Sequence, residues 1–150
     1  MPNGQSLKYL NEWTELWRLT DTTLYDRQLK RWGLSLNAYF VLCLLLDSPE
    51  GVEPAVIADK VSILRQSVTV LLNDFEKRKL IVRKESKEDH RRKKILFTPG
   101  GRKFAEKVCG EITEIELEAI AGIPQELQHA TLEMARTFYL RFKAITENRA

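Results

Sequence analysis

The sequence predicts a mainly helical α+β fold, in which a succession of helices is interrupted once by a β-hairpin. Apolar residues recur at helical spacing in both terminal parts of the chain. Two short stretches, residues 81–85 and 93–97, flank a charged segment without an apolar residue and predict two strands. The chain has 150 residues, which is the size of one domain, and a single domain over residues 1–150 is expected.

The N-terminal part predicts one long amphipathic helix over about residues 6–32. Its apolar residues follow helical spacing without a proline between them: Leu7, Leu10, Trp17, Leu24 and Leu29. Gly33 is expected to end this helix, and Ser35 to cap the N-terminus of the next one. The second helix runs through an apolar stretch to Asp47, and we expect it to be fully buried.

Two further helices are predicted before the hairpin. Pro54 is expected to open a short third helix, residues 54–60, that buries Val56, Ile57 and Val61. The next helix lies near residues 64–78. At 100° per residue its apolar side chains form one stripe, which consists of Leu64, Val68, Leu71, Leu72 and Phe75. The opposite face carries Gln66, Val70, Asn73 and Lys77, and Thr69 flanks it.

Two long helices are predicted after the hairpin. Thr98 and Pro99 are expected to be the N-cap and the first-turn residue of the fifth helix. Its apolar stripe consists of Phe104, Val108, Ile112, Ile115 and Ala119. Gly122 and Pro124 separate it from a sixth helix. One face of that helix carries Leu127, Thr131, Met134, Phe138, Phe142 and Ile145.

The charges are distributed unevenly along the chain. Residues 1–76 carry 7 basic against 10 acidic side chains, residues 77–103 carry 12 against 3, and residues 104–150 carry 5 against 8. The middle segment therefore has a net charge of +9, while each flanking segment has −3. A basic segment in an acidic chain suits a phosphate-binding surface, because neutralising phosphates releases counterions. Solvated basic loops are also common, so charge alone leaves both interpretations open.

The sequence argues against several other classes of protein. No run reaches the roughly 18 uncharged apolar residues of a membrane span, and no secretory signal is recognised, so a cytoplasmic protein is expected. Cys43 and Cys109 form no CxxC pair, and they are expected to be buried, inert thiols, with a peroxide-sensing thiol as the alternative. No metal-ligand cluster, glycine-rich phosphate loop or pair of nucleophile and base is present. We therefore predict no enzyme, no cofactor and no metal site.

The order helix, short helix, turn, helix, hairpin is that of a winged helix-turn-helix, whose last helix enters the major groove of DNA. The outer face of that recognition helix and the basic hairpin are adjacent in sequence, so one surface can contact both groove and backbone. The winged lobe is expected over about residues 34–100, with long dimerisation helices over about residues 6–32 and 99–148. A lobe of this size covers little of the terminal helices. Pairing of two chains is therefore expected to bury Trp17, Phe138 and Phe142.

The segment from Leu34 to Gly101 resembles the MarR family of multiple-antibiotic-resistance-type regulators. The resemblance rests on LSL at 34–36, ILRQSVT at 63–69, LIVR at 80–83 and DHRRKKILFTPGG at 89–101. The last segment is similar to the family's wing pattern, which is Asp-x-Arg, a variable strand, Leu-Thr and a Gly at the start of the next helix. The resemblance implies a homodimeric, ligand-responsive repressor that binds a pseudo-palindromic operator in double-stranded DNA.

Two positions depart from the family pattern. Val70 stands where a basic or polar residue is frequent, and a valine can instead meet a thymine methyl. Lys79 stands where glycine often ends the recognition helix. A left-handed cap strains a residue other than glycine, so a different helix end is expected here.

Candidate DNA contacts fall into two groups. In the recognition helix they are Arg65, Gln66, Ser67, Thr69 and Asn73. Gln and Asn can pair with adenine, Arg with guanine, and Ser or Thr with bases or phosphates. In the wing they are Lys84, Asp89, Arg91, Arg92 and Lys93. The resemblance implies that Arg91 enters the minor groove and that Asp89 orients the hairpin by pairing with an arginine.

Aromatic residues near the first two helices are candidates for the wall of an effector pocket: Trp13, Trp17, Trp32 and Tyr39. Their rings suit a small aromatic or phenolic ligand, while core or dimer packing is the alternative. The sequence also leaves open an alternative to specific DNA binding. A dimer of the same fold can bind a ligand or a protein and have only weak or nonspecific affinity for DNA.

Overall fold

The computed structural model describes residues 4–85 and 93–149. In chain order its elements are α1 (Gly4–Leu19), a π-helical turn (Thr20–Tyr25), α2 (Asp26–Leu29), a 3-10 turn (Lys30–Trp32), α3 (Leu36–Leu46), α4 (Pro54–Val61), α5 (Arg65–Lys77), β1 (Ile81–Glu85), β2 (Lys93–Phe97), α6 (Pro99–Ala121) and α7 (Gln125–Glu147). This order confirms the predicted mainly helical α+β class. The chain divides into two compact units, Met1–Gly110 and Glu111–Ala150. The expectation of a single domain over residues 1–150 stays a prediction.

The N-terminal helical run is continuous from α1 to Trp32, as the spacing predicts, but it is not a uniform α-helix. At the π-helical turn the hydroxyl of Thr20 donates to the carbonyl of Leu16 at 2.8 Å, and that of Thr22 donates to the carbonyl of Arg18 at 2.7 Å. Such bonds to the preceding turn accompany local departures from regular helix geometry. Gly33 ends the run with a φ of 63°, as predicted.

Helix α3 is the central helix of the Met1–Gly110 unit. The Ser35 side chain accepts a hydrogen bond from the backbone N–H of Ala38 at 3.2 Å, which confirms the predicted N-cap. The core residues of α3 are Ala38, Tyr39, Val41, Leu42 and Leu45. The expectation of full burial is wrong, because the ring of Phe40 is exposed and Cys43 is partly exposed. The apolar run is longer than the face that its neighbours cover.

Helices α4 and α5 form the helix-turn-helix. Pro54 opens α4 as predicted, and Ile57 is fully buried, but Val56 is exposed and its predicted burial is wrong. In α5 the buried stripe consists of Val68, Leu72 and Phe75. Leu64 does not belong to it and is 76% exposed. The helix begins one residue later, so the extended backbone of Leu64 takes its side chain off the helical stripe.

Helix α5 ends at a left-handed residue that is not glycine. Lys79 has a φ of 59°, so the expectation of a different helix end is wrong. The N–H of Leu80 donates to the carbonyl of Phe75 at 2.8 Å, and the N–H of Lys79 donates to that of Glu76 at 2.9 Å. This pair of bonds is the Schellman pattern. The bonds satisfy the last carbonyls of the helix and offset the backbone strain at Lys79.

Strands β1 and β2 form the predicted antiparallel hairpin, in which Ile81 pairs with Phe97 and Glu85 with Lys93. The structure adds a contact that the sequence did not predict. Val52 forms an antiparallel bridge with Ile95, through hydrogen bonds of 3.1 and 2.8 Å. Strand β2 is therefore hydrogen-bonded along both of its edges, to β1 on one side and to Val52 on the other. Ile81 and Ile95 are buried at the base of the hairpin.

The start of α6 packs closely against the chain that follows α5. Thr98 is the predicted N-cap, since its Oγ1 accepts from the N–H of Gly101 at 2.9 Å and donates to the carbonyl of Lys79 at 2.8 Å. A Cβ atom on Gly101 would lie 1.7 Å from the carbonyl oxygen of Leu80. Glycine is therefore required at this approach of two backbones.

The Glu111–Ala150 unit consists of the end of α6 and α7. The side-chain amide of Gln128 donates to the carbonyls of Ile120 and Ile123, at 3.2 and 2.8 Å, and so caps the end of α6. The apolar side chains of the predicted α7 face are exposed in the single chain: Leu127, Met134, Phe138, Phe142 and Ile145. Ile115 of the predicted α6 stripe is exposed too.

No single helix within residues 4–85 and 93–149 is long and apolar enough to cross a membrane. The helical run Gly4–Trp32 and α3 pass that test together by length and composition, with a bend of 69° between them.

Candidate nucleic-acid interface

The outer face of α5 is exposed as the sequence predicts. Its candidate contact residues are Arg65, Gln66, Thr69 and Asn73, all exposed, and Ser67, which is half-buried. Val70 lies among them and is 64% exposed. Because Val68, Leu72 and Phe75 anchor the opposite face in the core, these polar side chains have a fixed orientation outward.

A shallow groove of about 370 Å³ lies between the start of α3 and the outer face of α5. Its lining residues are Ser35, Asn37, Gln66, Ser67, Val70 and Leu71. The predicted contact residues Gln66 and Ser67 therefore share one surface with the polar residues at the start of α3. The wall that Val70 contributes is apolar, which suits a base methyl better than a phosphate.

The hydroxyl of Thr69 has a partner within its own helix. Its Oγ1 donates to the carbonyl of Arg65 at 3.1 Å. The hydroxyl proton is used in this bond, so Thr69 presents its oxygen lone pairs and its methyl group outward. In this conformation it can accept a hydrogen bond from a base but cannot donate one.

Asn73 contacts the hairpin directly, which the sequence did not predict. Arg83 of β1 donates from Nη2 to Oδ1 of Asn73 at 2.6 Å, and its Nη1 lies 3.6 Å from Oε2 of Glu76. An asparagine that reads adenine uses its carbonyl oxygen and its NH₂ group together. Arg83 occupies one lone pair of this oxygen, so Asn73 keeps its NH₂ group and the second lone pair for a base. Sequence reasoning grouped Arg83 with the hairpin charges but missed this contact.

The described part of the hairpin carries two lysines directly opposite each other. Lys84 pairs with Lys94, while the neighbouring Lys93 pairs with Glu85. Like charges in a cross-strand pair destabilise a sheet, and a bound anion removes this repulsion. Lys84 and Lys93 are both exposed, as their predicted role requires. The other wing candidates, Asp89, Arg91 and Arg92, lie outside the described residues.

Arg78 has structural contacts on several sides at the end of α5. Its Nη2 donates to the carbonyl of Trp32 at 2.9 Å, and its guanidinium lies 5.3 Å from the ring centre of Phe104. Its Nη1 is 3.5 Å from Asp74. These contacts connect α5 to the end of the N-terminal helical run and to α6. Arg78 therefore fixes the position of the recognition helix, whereas its neighbour Lys77 is exposed.

The aromatic pocket candidates differ in their environment. Tyr39 is only 6% exposed, with ring centres 6.3 Å from Tyr25 and 5.7 Å from Phe40. Trp13 is half-buried and Trp17 is exposed. The burial of Tyr39 fits the packing alternative, and an effector role of Trp13, Trp17 and Tyr39 stays a prediction.

Comparison with known proteins identifies the lobe that carries this interface. The model described as MarR family matches residues 32–92, which include α3, α4, α5 and β1. Over these residues the winged lobe is similar to the MarR family. A curated relative, the HTH-type transcriptional regulator PapX of Escherichia coli, is 31% identical over 78 residues, 51% of this chain and 48% of PapX. The chain thus spans about half the length of this relative.

Solved structures share the fold over nearly the whole chain. AbsC of Streptomyces coelicolor, a MarR family transcriptional regulator, has a TM-score of 0.82 and 16% identity, and the match covers 96% of this chain and 98% of AbsC. FabT of Streptococcus pneumoniae, solved in complex with DNA, has a TM-score of 0.74 and 18% identity, with 93% and 99% covered. At these identities the likeness shows the fold, which is that of MarR regulators with a winged helix.

Proposed function

We propose that this chain is a sequence-specific DNA-binding transcription regulator of the MarR type. The observation that carries the proposal is the hydrogen bond of 2.6 Å between Arg83 and Asn73. It joins the polar outer face of α5 to the strand that carries Lys84, so the candidate groove contacts and the basic hairpin form one surface. A duplex offers base edges and phosphates side by side, which matches that combination.

The proposed unit of binding is a homodimer. Large apolar side chains are exposed on α1, including Leu7, Leu16 and Trp17, and on α7, including Phe138 and Phe142. Phe142 alone is 59% exposed. A monomer rarely presents faces of this kind to water, and a second copy can cover them. A two-fold dimer then favours an inverted repeat, with half-site centres about one helical turn, ~10 bp, apart.

We further propose that the protein represses transcription, responds to an effector and is located in the cytoplasm. A small aromatic or phenolic ligand is proposed to weaken DNA binding by favouring a different arrangement of the two winged lobes. An effector shifts such an equilibrium only through unequal affinity for the two states. Trp13 and Trp17 are the proposed ring contacts. The match of the winged lobe to regulators supports this role and gives no support to a catalytic one.

A mobility shift separates this function from the alternative, a dimer of the same fold with weak or nonspecific DNA affinity. The protein is titrated against the promoter region of its neighbouring gene and against a scrambled duplex of equal length. We expect the promoter to bind at least ten times more tightly. Lys84→Ala should weaken binding to both duplexes, while Lys143→Ala, the same change on the exposed part of α7, should not. Equal, weak binding of both duplexes contradicts the proposal.

A further inference from the structure

The only two cysteines of the chain lie side by side, although 66 positions separate them in the sequence. Cys43 is on α3 and Cys109 is on α6, and their Sγ atoms are 3.1 Å apart. The proposed DNA contacts use neither residue. We propose that Cys43 and Cys109 form a redox-convertible dithiol, which a small hydroperoxide oxidises to an intrachain disulfide.

The geometry requires little movement for this reaction. A disulfide has an S–S distance of about 2.05 Å, so the two sulfur atoms must approach by roughly 1 Å. Rotation of the two side chains and a small shift of the helices provide such an approach.

The two thiols differ in exposure, which assigns them different roles. Cys43 is partly exposed, on a helix where Phe40, one turn earlier, is also exposed. Cys109 is 9% exposed and lies next to the fully buried Val108. A small oxidant therefore meets Cys43 first. Cys109 is the resolving thiol, since the first oxidation product on Cys43 forms within its reach.

The chemistry balances with a hydroperoxide as the only co-reactant. Cys43 loses its proton, and the thiolate attacks the terminal peroxide oxygen. The O–O bond breaks, the alcohol leaves with that proton, and Cys43 becomes a sulfenic acid. The Cys109 sulfur then attacks the Cys43 sulfur, the S–O bond breaks, and the hydroxyl leaves as water with the Cys109 proton. Two thiols and one hydroperoxide give one disulfide, one alcohol and one water.

The disulfide would connect two elements of the Met1–Gly110 unit that are far apart in sequence. Helix α3 carries much of the core of this unit, and α6 follows the hairpin. Closing a loop of this length restricts the unfolded chain, so oxidation should stabilise the native fold. We expect a melting temperature higher by about 5 to 15 °C, which returns to its original value when dithiothreitol reduces the bond.

The test uses the reduced full chain, treated with one equivalent of cumene hydroperoxide. Intact mass should fall by about 2 Da, the two hydrogens lost on forming the bond. After unfolding in guanidinium without reductant, maleimide should label both thiols of the untreated protein and neither thiol of the treated protein. Non-reducing electrophoresis should show a single chain. None of these measurements involves DNA, so the result is independent of the proposed function.

Matched variants assign the roles. In Cys109→Ser, peroxide should leave Cys43 as a sulfenic acid that dimedone traps, with no rise in melting temperature. In Cys43→Ser, Cys109 should react much more slowly. Three results overturn the proposal: thiols that do not react, a covalent dimer of double mass, or a gain of about 32 or 48 Da without a disulfide, which marks overoxidation.

Discussion

Arg83 of β1 donates a hydrogen bond of 2.6 Å to the side-chain oxygen of Asn73 on α5. Glu76, one turn further along α5, lies 3.6 Å from the same guanidinium and helps to orient it. The contact connects the hairpin with the outer face of the recognition helix. In the proposed DNA complex these two parts are therefore coupled, and Asn73 acts in part by positioning Arg83.

The first prediction concerns this coupling. Arg83→Ala and Asn73→Ala should each weaken operator binding, but the double variant should lose less than the sum of the two losses. The shared contact is broken by either change, so we expect a coupling free energy of about 1 kcal/mol. A double-mutant cycle by fluorescence anisotropy measures it. Asn73→Ala combined with Lys84→Ala is the control pair, and its losses should add. Additive losses for Arg83 and Asn73 would show that the contact plays no part in binding.

The elements that local chemistry determines were predictable from the sequence. Gly33, Ser35 and Pro54 act through their own backbone or side chain within one helical turn, and each ends or begins a helix as predicted. Thr98 belongs to the same class. For Leu64 the helical spacing predicted burial wrongly. The spacing applies only to residues inside the helix, and α5 begins at Arg65.

Features that depend on distant parts of the chain were not predictable. The left-handed Lys79 accepts a hydrogen bond at its carbonyl from Thr98, which lies 19 residues away in the sequence. The bridge between Val52 and Ile95 and the pair Cys43 and Cys109 have no signature in local sequence. In the candidate site, exposure of the outer α5 residues followed from periodicity, whereas the partner of Asn73 did not. Tertiary packing determines which side chains of different elements pair. The periodicity of residues within one element contains no information about such pairs.

The second prediction tests the close approach at the start of α6. Gly101→Ala should destabilise the protein by about 2 kcal/mol or more, because its Cβ would overlap the carbonyl of Leu80 and force the backbones apart. Gly100→Ala is the matched control. The nearest atom to its Cβ is 4.0 Å away, and alanine favours the helix, so stability should stay equal or rise slightly. Urea denaturation measures both. Equal stability of the two variants would refute the close approach.

The third prediction separates affinity from stability in the hairpin. Lys84→Ala should weaken binding to all duplexes and reduce the slope of log K against log salt by about one unit. The same change removes the repulsion from Lys94, so the free energy of unfolding should rise by about 0.2 to 1 kcal/mol. Salt titrations and urea denaturation give the two quantities. Affinity and stability that fall together would instead indicate a purely structural lysine.

The fourth prediction concerns sequence reading by Gln66. Because this exposed side chain lies in the groove between α3 and α5, Gln66→Ala should cost about 1 to 3 kcal/mol on the preferred operator and little on scrambled DNA. Gln5→Ala removes the same side chain from α1, where it contacts Tyr9, and should change neither affinity. Circular dichroism serves as the folding control. An equal loss on both duplexes would assign Gln66 to the phosphates rather than to a base.

The fifth prediction tests the dimer through the apolar groove of α7. This groove of about 560 Å³ is lined by Met134, Phe138, Phe142 and Ile145, together with Glu133, Thr137 and Arg141. Phe138 and Phe142 stack with ring centres 5.7 Å apart, so the ordered aromatic surface is already formed in the single chain. A charge at its centre would have to be desolvated if a second copy covers the groove.

Phe142→Lys should therefore weaken the dimer at least about 100-fold, a loss on the scale of a central aromatic contact in an interface. His129→Lys introduces the same charge at an exposed position on the opposite side of α7 and should leave the dimer intact. Sedimentation velocity at micromolar concentration distinguishes the two outcomes, with circular dichroism to verify the helix content. The monomeric variant should also lose most of its affinity for an inverted repeat, because each half-site then binds independently. If Phe142→Lys sediments as a dimer, the α7 groove is not the dimer interface, and the exposed residues of α1 become the surface to test.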